Sequence, residues 1–180
     1  LNSHSDFKEE VWSTNLKTNE MHPLDLAARL VQEDMIIMLP PDIKKTSGST
    51  GWWLAAGSVA FPSRWSLKEK FGQSMNIIHA PVPFYKKQIQ ATVNNFFNRM
   101  PCNEIFARRN WSLYDNSFLR HDSAEQSSKI VQKHITSSNA GEKLWLRVER
   151  QTIRKLKKTG AILFTIRIHL RQLKHIVSFN

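Results

Sequence analysis

The chain has 180 residues, 41% of them hydrophobic and 23% charged, a balance that suits one domain with a sizeable core and excludes a chain disordered by composition. Its net charge of +11 favours contact with something anionic: nucleic acid, an acidic protein or anionic lipid. The lone cysteine, Cys102, excludes an internal disulfide and any zinc or iron–sulfur site built from cysteines of this chain, and no apolar run approaches the roughly 18–20 residues of a bilayer span.

Cysteine usage points to cytosol or an organelle interior. The opening stretch, LNSHSDFKEE, has neither the apolar core of a secretory signal nor the Arg-rich pattern of a transit peptide. The chain starts at Leu1, as a fragment would. Lys155, Lys157, Lys158, Arg167, Arg171 and Lys174 crowd its last part, where they read first as a solvated basic face and second as a contact surface.

Pro23 to Glu33 reads as the first helix. Proline costs nothing in a first turn, and Leu24, Ala27, Ala28 and Val31 make an apolar stripe. Met35 to Leu39 is a short apolar run closed by Pro40-Pro41, which suits a buried strand. Lys45 to Gly51 reads as a turn and Trp52 to Phe61 as a second strand, so the two runs form a predicted hairpin. Ser66-Leu67-Lys68-Glu69 has the shape of a capping box, with Gly72 as a stop. Gln73 to Pro83 reads as a loop, and Tyr85 to Met100 as a longer helix with Ile89, Val93, Phe96, Phe97 and Met100 on one side.

Strands return at Ile105 to Leu113. Asp115 to Gly141 is polar, with a helical candidate near Lys129 to Ile135. Leu144 to Leu156 alternates: Leu144, Leu146 and Val148 point one way, Trp145, Arg147 and Glu149 the other. Lys157-Lys158-Thr159-Gly160 is a tight connection, and Ala161 to Leu170 alternates again with Ile162, Phe164, Ile166 and Ile168 on one face. Two strands, a helical stretch and three strands predict an α+β fold: a five-stranded antiparallel sheet with helices inserted after the second strand. That is the connectivity of a PAS domain, which can hold a ligand between sheet and helices. At this level fold does not fix function.

Among candidate site residues, His79 stands in Ile77-Ile78-His79-Ala80-Pro81-Val82-Pro83. The prolines stiffen the loop, and a stiff loop can hold an imidazole at the fixed angle an axial haem ligand needs. The same residues also describe a histidine packed in a half-buried loop and bonded to backbone. No histidine pair has zinc-site spacing. Cys102 reads as a haem thiolate or as an idle thiol. Arg108-Arg109-Asn110-Trp111-Ser112 can pair with haem propionates or phosphate, or form a salt-bridged sheet edge. Arg147, Glu149 and Gln151 share one strand face, where the carboxylate can hold a cationic substrate or pair with arginine. The sequence has no GxGxxG, GxxxxGK[ST] or GxSxG.

Several motifs follow one another in a familiar order. They are His22-Pro23-Leu24-Asp25, Leu30-Val31-Gln32-Glu33-Asp34, Phe61-Pro62-Ser63-Arg64-Trp65, Ile78-His79-Ala80-Pro81-Val82-Pro83, Arg109-Asn110-Trp111-Ser112, Arg147-Val148-Glu149-Arg150-Gln151-Thr152 and Thr159-Gly160-Ala161-Ile162-Leu163-Phe164-Thr165-Ile166-Arg167. Across Met21 to Leu170 they resemble the haem-dependent oxidative N-demethylase α-subunit-like family. The resemblance implies a PAS-like haem b domain over residues 21–180, short of the family's usual length at both ends, with residues 1–20 as an N-terminal extension. It implies oxidative demethylation of a small secondary amine such as dimethylamine, with O₂ as oxidant. Electrons would come from NADPH through FMN and a 2Fe-2S centre on a partner reductase, which the basic surface could dock.

By that resemblance His79 is the axial ligand, Arg109 or Arg150 pairs with the propionates, and Glu149 receives the cationic amine. Two other readings stand beside it. One is a haem-binding PAS sensor or non-catalytic relative. The other is a basic nucleic-acid-binding module, argued from charge alone.

Overall fold

A computed structural model describes residues 21–41, 51–82, 84–121 and 135–177. Its centre is a five-stranded antiparallel sheet in the order β2-β1-β5-β4-β3. The strands are β1 (Asp34–Leu39), β2 (Trp53–Ser58), β3 (Ile105–Tyr114), β4 (Trp145–Lys155) and β5 (Ile162–Gln172). The predicted α+β class, the strand count and the antiparallel pairing all hold. The expected hairpin pairs Met35 with Ser58 and Leu39 with Trp53, with a register shift between Ile37 and Met38.

Helix α1 (Pro23–Arg29) is shorter than the predicted Pro23 to Glu33. The chain must turn back before Asp34 pairs with Ile166 of β5, so the last predicted helical residues become the turn. Leu26 is its buried side chain, while Val31 of the expected stripe is exposed. The Nδ1 of His22 accepts from the Leu24 amide and caps the helix.

Between β2 and β3 lie α2 (Leu67–Lys70), α3 (Met75–Ile78), a π-helical turn (Tyr85–Ile89) and α4 (Gln90–Arg99). Ser66 stands at the N-cap of α2 but its side chain makes no capping bond. Gly72, at φ 76°, ends that segment as expected. The predicted loop from Gln73 contains α3. The predicted helix from Tyr85 starts as a π-turn because Phe84 takes a left-handed φ of 61°, which offsets the entry to α4. Short helices α5 (Ala140–Lys143) and α6 (Lys174–Val177) flank β4 and β5. The helix expected near Lys129 lies almost wholly outside the described residues.

One sheet face carries the core: Ile36, Met38, Leu54, Ile162, Ile166 and Ile168, closed by Trp52 and by Phe97 and Met100 at the end of α4. Trp52 meets Phe97 edge-on at 5.5 Å, and its indole N–H donates to Asn98 Oδ1 at 2.8 Å. Strand alternation assigns the faces. In β4 the inner residues are Arg147, Glu149, Gln151 and Ile153, opposite Leu170, Ile168, Ile166 and Phe164 of β5. The sheet therefore buries the polar set of β4, against the usual direction of hydropathy. No helix among the described residues is long and apolar enough to cross a membrane.

Candidate functional site

The segment that carries His79 is strapped to β2. The Met75 amide donates to the Trp52 carbonyl at 2.7 Å, the Leu54 amide to Gln73 at 3.0 Å, and the Gly72 amide to Leu54 at 2.9 Å. This is backbone-on-backbone anchoring, so the position of α3 does not depend on side-chain packing alone. His79 caps α3, and both its amide and its ring Nδ1 lie 3.0 Å from the Met75 carbonyl. A carbonyl only accepts, so Nδ1 carries the proton and Nε2 keeps its lone pair. Burial lowers the pKa of the imidazole, helped by the nearby charges of Arg108 and Lys70 and opposed by the Met75 bond. The result is a neutral imidazole with one nitrogen fixed and the other available, the state a metal-ligating histidine needs.

Tyr85 stacks on the His79 ring at 4.7 Å and 13°. It is 5% exposed, yet its hydroxyl has no hydrogen-bond partner among the described residues. Asn94 Oδ1 of α4 is buried and unpartnered in the same way. Such groups are uncommon in native interiors and call for an explanation such as a ligand or water. Phe96 of α4 meets Phe106 of β3 edge-on at 5.0 Å. Val82, Phe84, Ile89 and Phe96 are all exposed along this segment. An apolar border of exposed side chains thus runs along the segment that carries His79, and its Phe96 packs on the inner side of β3.

Across that inner side runs a polar ladder. Arg108 Nε donates to Gln151 Oε1 at 2.6 Å, and Gln151 Nε2 donates to Glu149 Oε2 at 3.1 Å. Arg147 Nε donates to Glu149 Oε1 at 3.4 Å. Arg147 is 0% exposed and spends its two terminal nitrogens on the carbonyls of Leu119 at 2.7 Å and Phe61 at 2.8 Å. Its charge is thus matched by Glu149, and each of its three nitrogens has an acceptor, as a buried guanidinium calls for. Asp34 closes the far end and accepts from the amides of Ala60 at 2.7 Å and Phe61 at 3.2 Å. Burial pushes its carboxyl upward, against those two amides and the Arg147 charge.

Tyr114 supports this end. Its hydroxyl bonds Ser63 Oγ at 2.6 Å, His121 stacks on its ring at 4.2 Å, and the Arg64 guanidinium lies 4.8 Å from its centroid. Arg64 holds a left-handed φ of 61°, so the Phe61-Pro62-Ser63-Arg64-Trp65 motif is a bent strap over the ladder.

Of the residues singled out from sequence, His79 and Glu149 belong to the helix-facing side of the sheet. Arg109 and Arg150 do not: they stand opposite each other in the β3–β4 register on the outer face. Their neighbour Arg108 is the guanidinium that reaches His79 electrostatically. Of the two readings of Glu149, an arginine pair is present, but it forms with Arg147 along β4 and not across the sheet. Cys102 is a free, half-buried thiol just after α4. His169 is exposed on the outer face, and His4 and His134 lie outside the described residues.

Sequence reasoning missed Asp34 and Tyr85. Asp34 was visible as the acid at the edge of an apolar strand, whereas Tyr85 carried no signal beyond its aromatic ring. Among the described residues no three His, Cys, Asp or Glu side chains cluster to hold a metal ion. A haem iron needs only an axial ligand from the protein, because the porphyrin supplies the rest. The residues present fit such a group: one neutral imidazole with a free nitrogen, an apolar border, an unpartnered buried hydroxyl and a guanidinium within electrostatic reach.

The chain's own sequence matches, over residues 2–179, the family described as haem-dependent oxidative N-demethylase, alpha subunit-like. That span contains every motif noted above and runs past them at both ends. The chain belongs to this haem-dependent oxidative N-demethylase alpha-subunit-like family.

Proposed function

We propose that the chain binds haem b through His79 Nε2, between the Met75–Phe96 segment and the inner side of β3 and β4, and demethylates a small secondary amine. The observation that carries this reading is the bond from His79 Nδ1 to the Met75 carbonyl, which leaves Nε2 as the free ligand atom. A PAS-like arrangement of the sheet is supported by the strand order β2-β1-β5-β4-β3 with helices inserted between β2 and β3; we take it as the domain of residues 21–180, with residues 1–20, which lie outside the described residues, as an extension. Family membership supports haem and oxidative N-demethylation as the class of chemistry.

Bound haem would supply O₂ activation and electron transfer, which no side chain of this protein provides. The protein's part is positioning. His79 would hold the group through Nε2, with Nδ1 fixed by the Met75 carbonyl. Arg108 commits its Nε to Gln151, and its terminal nitrogens suit a carboxylate such as a propionate. That task falls to Arg108 here, since Arg109 and Arg150 face the other way. Glu149, with a side chain 12% exposed, receives the cationic amine and holds its proton, while Arg147 and Gln151 orient its two oxygens. Burial of Arg147 and Gln151 beside Glu149 keeps water from the reacting amine. Electrons come from NADPH through FMN and a 2Fe-2S centre on a partner reductase; the family's description as alpha subunit-like supports the existence of further subunits.

A second reading, a haem-binding PAS sensor or non-catalytic relative, is favoured by one observation. Both oxygens of Glu149 are already engaged, by Arg147 and Gln151, so an amine must compete for them. The test is O₂ uptake by the haem-loaded chain with dimethylamine and a chemical reductant, with formaldehyde release as the product assay. Amine-dependent uptake with matching formaldehyde, lost in Glu149→Gln, supports the demethylase. Haem binding with no amine dependence supports the sensor.

A further inference from the structure

The outer face of the β3–β4–β5 wing has no role in the reading above, and its composition is not what folding alone selects. Arg109, Arg150 and Arg167 stand in register on three adjacent strands. Like charges placed directly opposite destabilise a sheet. Only Arg167 has an acid, Glu33 at 3.3 Å; among the described residues no carboxylate pairs with Arg109 or Arg150. The same face adds Arg154, Arg171 and His169, each exposed.

Beside the arginine row Trp111 is 67% exposed, opposite Val148. Leu113 and Ile105 are also exposed on this face. A concavity of about 590 Å³ opens next to the row, lined by Leu146, Val148, Arg167, His169, Arg171 and Ile176 among others. Arginine and aliphatic groups line the socket, and Trp111 stands across the β3–β4 pair from its Val148; arginine, tryptophan and aliphatic groups together are the composition of a protein-binding hot spot.

We propose that this outer sheet face is a docking surface for an acidic patch of a partner protein, with Arg109 and Arg150 as the charged contacts and Trp111 as the apolar anchor. Charge complementarity defines the partner. The unpaired row costs stability in the free chain, and carboxylates placed opposite it relieve that cost. A single-stranded nucleic acid is the weaker occupant. Base-stacking platforms use successive aromatic rings, whereas this face offers one tryptophan among Leu113, Ile105 and Val148. The inference does not rest on the haem reading, because it uses the opposite side of the sheet.

The test uses the whole chain and a fluorescein-labelled oligoglutamate peptide with a leucine pair at its centre, followed by anisotropy. An oligothymidylate of equal charge is the comparison probe. The variants are Arg109→Glu/Arg150→Glu, Arg109→Gln/Arg150→Gln in case reversal unfolds the sheet, and Trp111→Ala. The control is Lys157→Glu/Lys158→Glu, which makes the same charge change on exposed residues of the β4–β5 connection. Saturable peptide binding should weaken by about tenfold in either arginine variant, and by a few-fold in Trp111→Ala. The control should change it by less than about twofold, as screened charges distant from the contact do. Equal weakening by the control would show that net charge alone acts and would overturn the proposal. So would tighter binding of the oligothymidylate, which would make the face a nucleic-acid surface, or the lack of saturable peptide binding.

Discussion

Replacing Arg147 with methionine should be the most damaging single change on the inner face. The side chain is 0% exposed and holds three acceptors: Leu119 O at 2.7 Å, Phe61 O at 2.8 Å and Glu149 Oε1 at 3.4 Å. Each short bond from a charged donor is worth about 1.5–3 kcal/mol. Removing one partner of a buried ion pair costs about 3–5 kcal/mol, because the other charge stays buried. These terms overlap, and we expect a loss of about 4 kcal/mol for Arg147→Met. With a urea dependence of about 2 kcal/mol per molar, the midpoint should fall by about 2 M. The double variant Arg147→Met/Glu149→Leu removes the stranded carboxylate and should recover about half of the loss, leaving the two carbonyls unpaired. The assay is urea unfolding followed by circular dichroism on wild type and both variants. A loss below about 1 kcal/mol for the single change, or a double variant no more stable than the single one, would refute the view that this guanidinium organises the ladder.

Three further substitutions test neighbouring contacts. Burial holds the His79 pKa below its ordinary value, so the unfolded chain binds the proton more readily; the contribution is complete above the ordinary histidine range and is lost as pH falls through it. His79→Asn should therefore flatten the fall in melting temperature from neutral to mildly acidic pH. Asp34 has the opposite sign, because its raised carboxyl takes up a proton more readily in the folded state, so Asp34→Asn should steepen that fall; unchanged slopes in both variants would contradict the assignments. A Cβ at Gly57 would lie 2.9 Å from Leu67 Cδ1, so Gly57→Ala should cost about 1 kcal/mol by forcing the Leu67 side chain out of its rotamer, with Gly57→Ala/Leu67→Ala relieving the clash. Equal losses in the single and double variants, measured by thermal unfolding, would contradict that contact.

Much of the sheet was legible because alternation is a local signal. Ile162, Phe164, Ile166 and Ile168 mark the inner face of β5, and Gly160 at φ 69° ends the connection that precedes it. In β4 the period was equally clear but hydropathy points to the wrong side. The buried residues are Arg147 and Gln151, because Phe61, Leu119 and Arg108 supply partners that no local pattern reveals. The site divides in the same way. His79 stood out through its flanking prolines, and its motif survives as the end of α3. Choosing among Arg108, Arg109 and Arg150 required the register with Gln151, a contact 43 residues away in sequence. The π-turn at Tyr85 and its stack on His79 depend on the left-handed Phe84, a backbone choice that a phenylalanine does not announce.

The central claim is that His79 ligates haem, and the absorption spectrum of the purified chain titrated with hemin tests it most directly, wild type against His79→Ala. The account predicts a saturating one-to-one Soret shift in the wild type that the variant loses, with unchanged circular dichroism to show that α3 still folds. A shift of equal size and affinity in His79→Ala would move the ligand elsewhere, and no saturable shift in the wild type would contradict the haem reading for this chain.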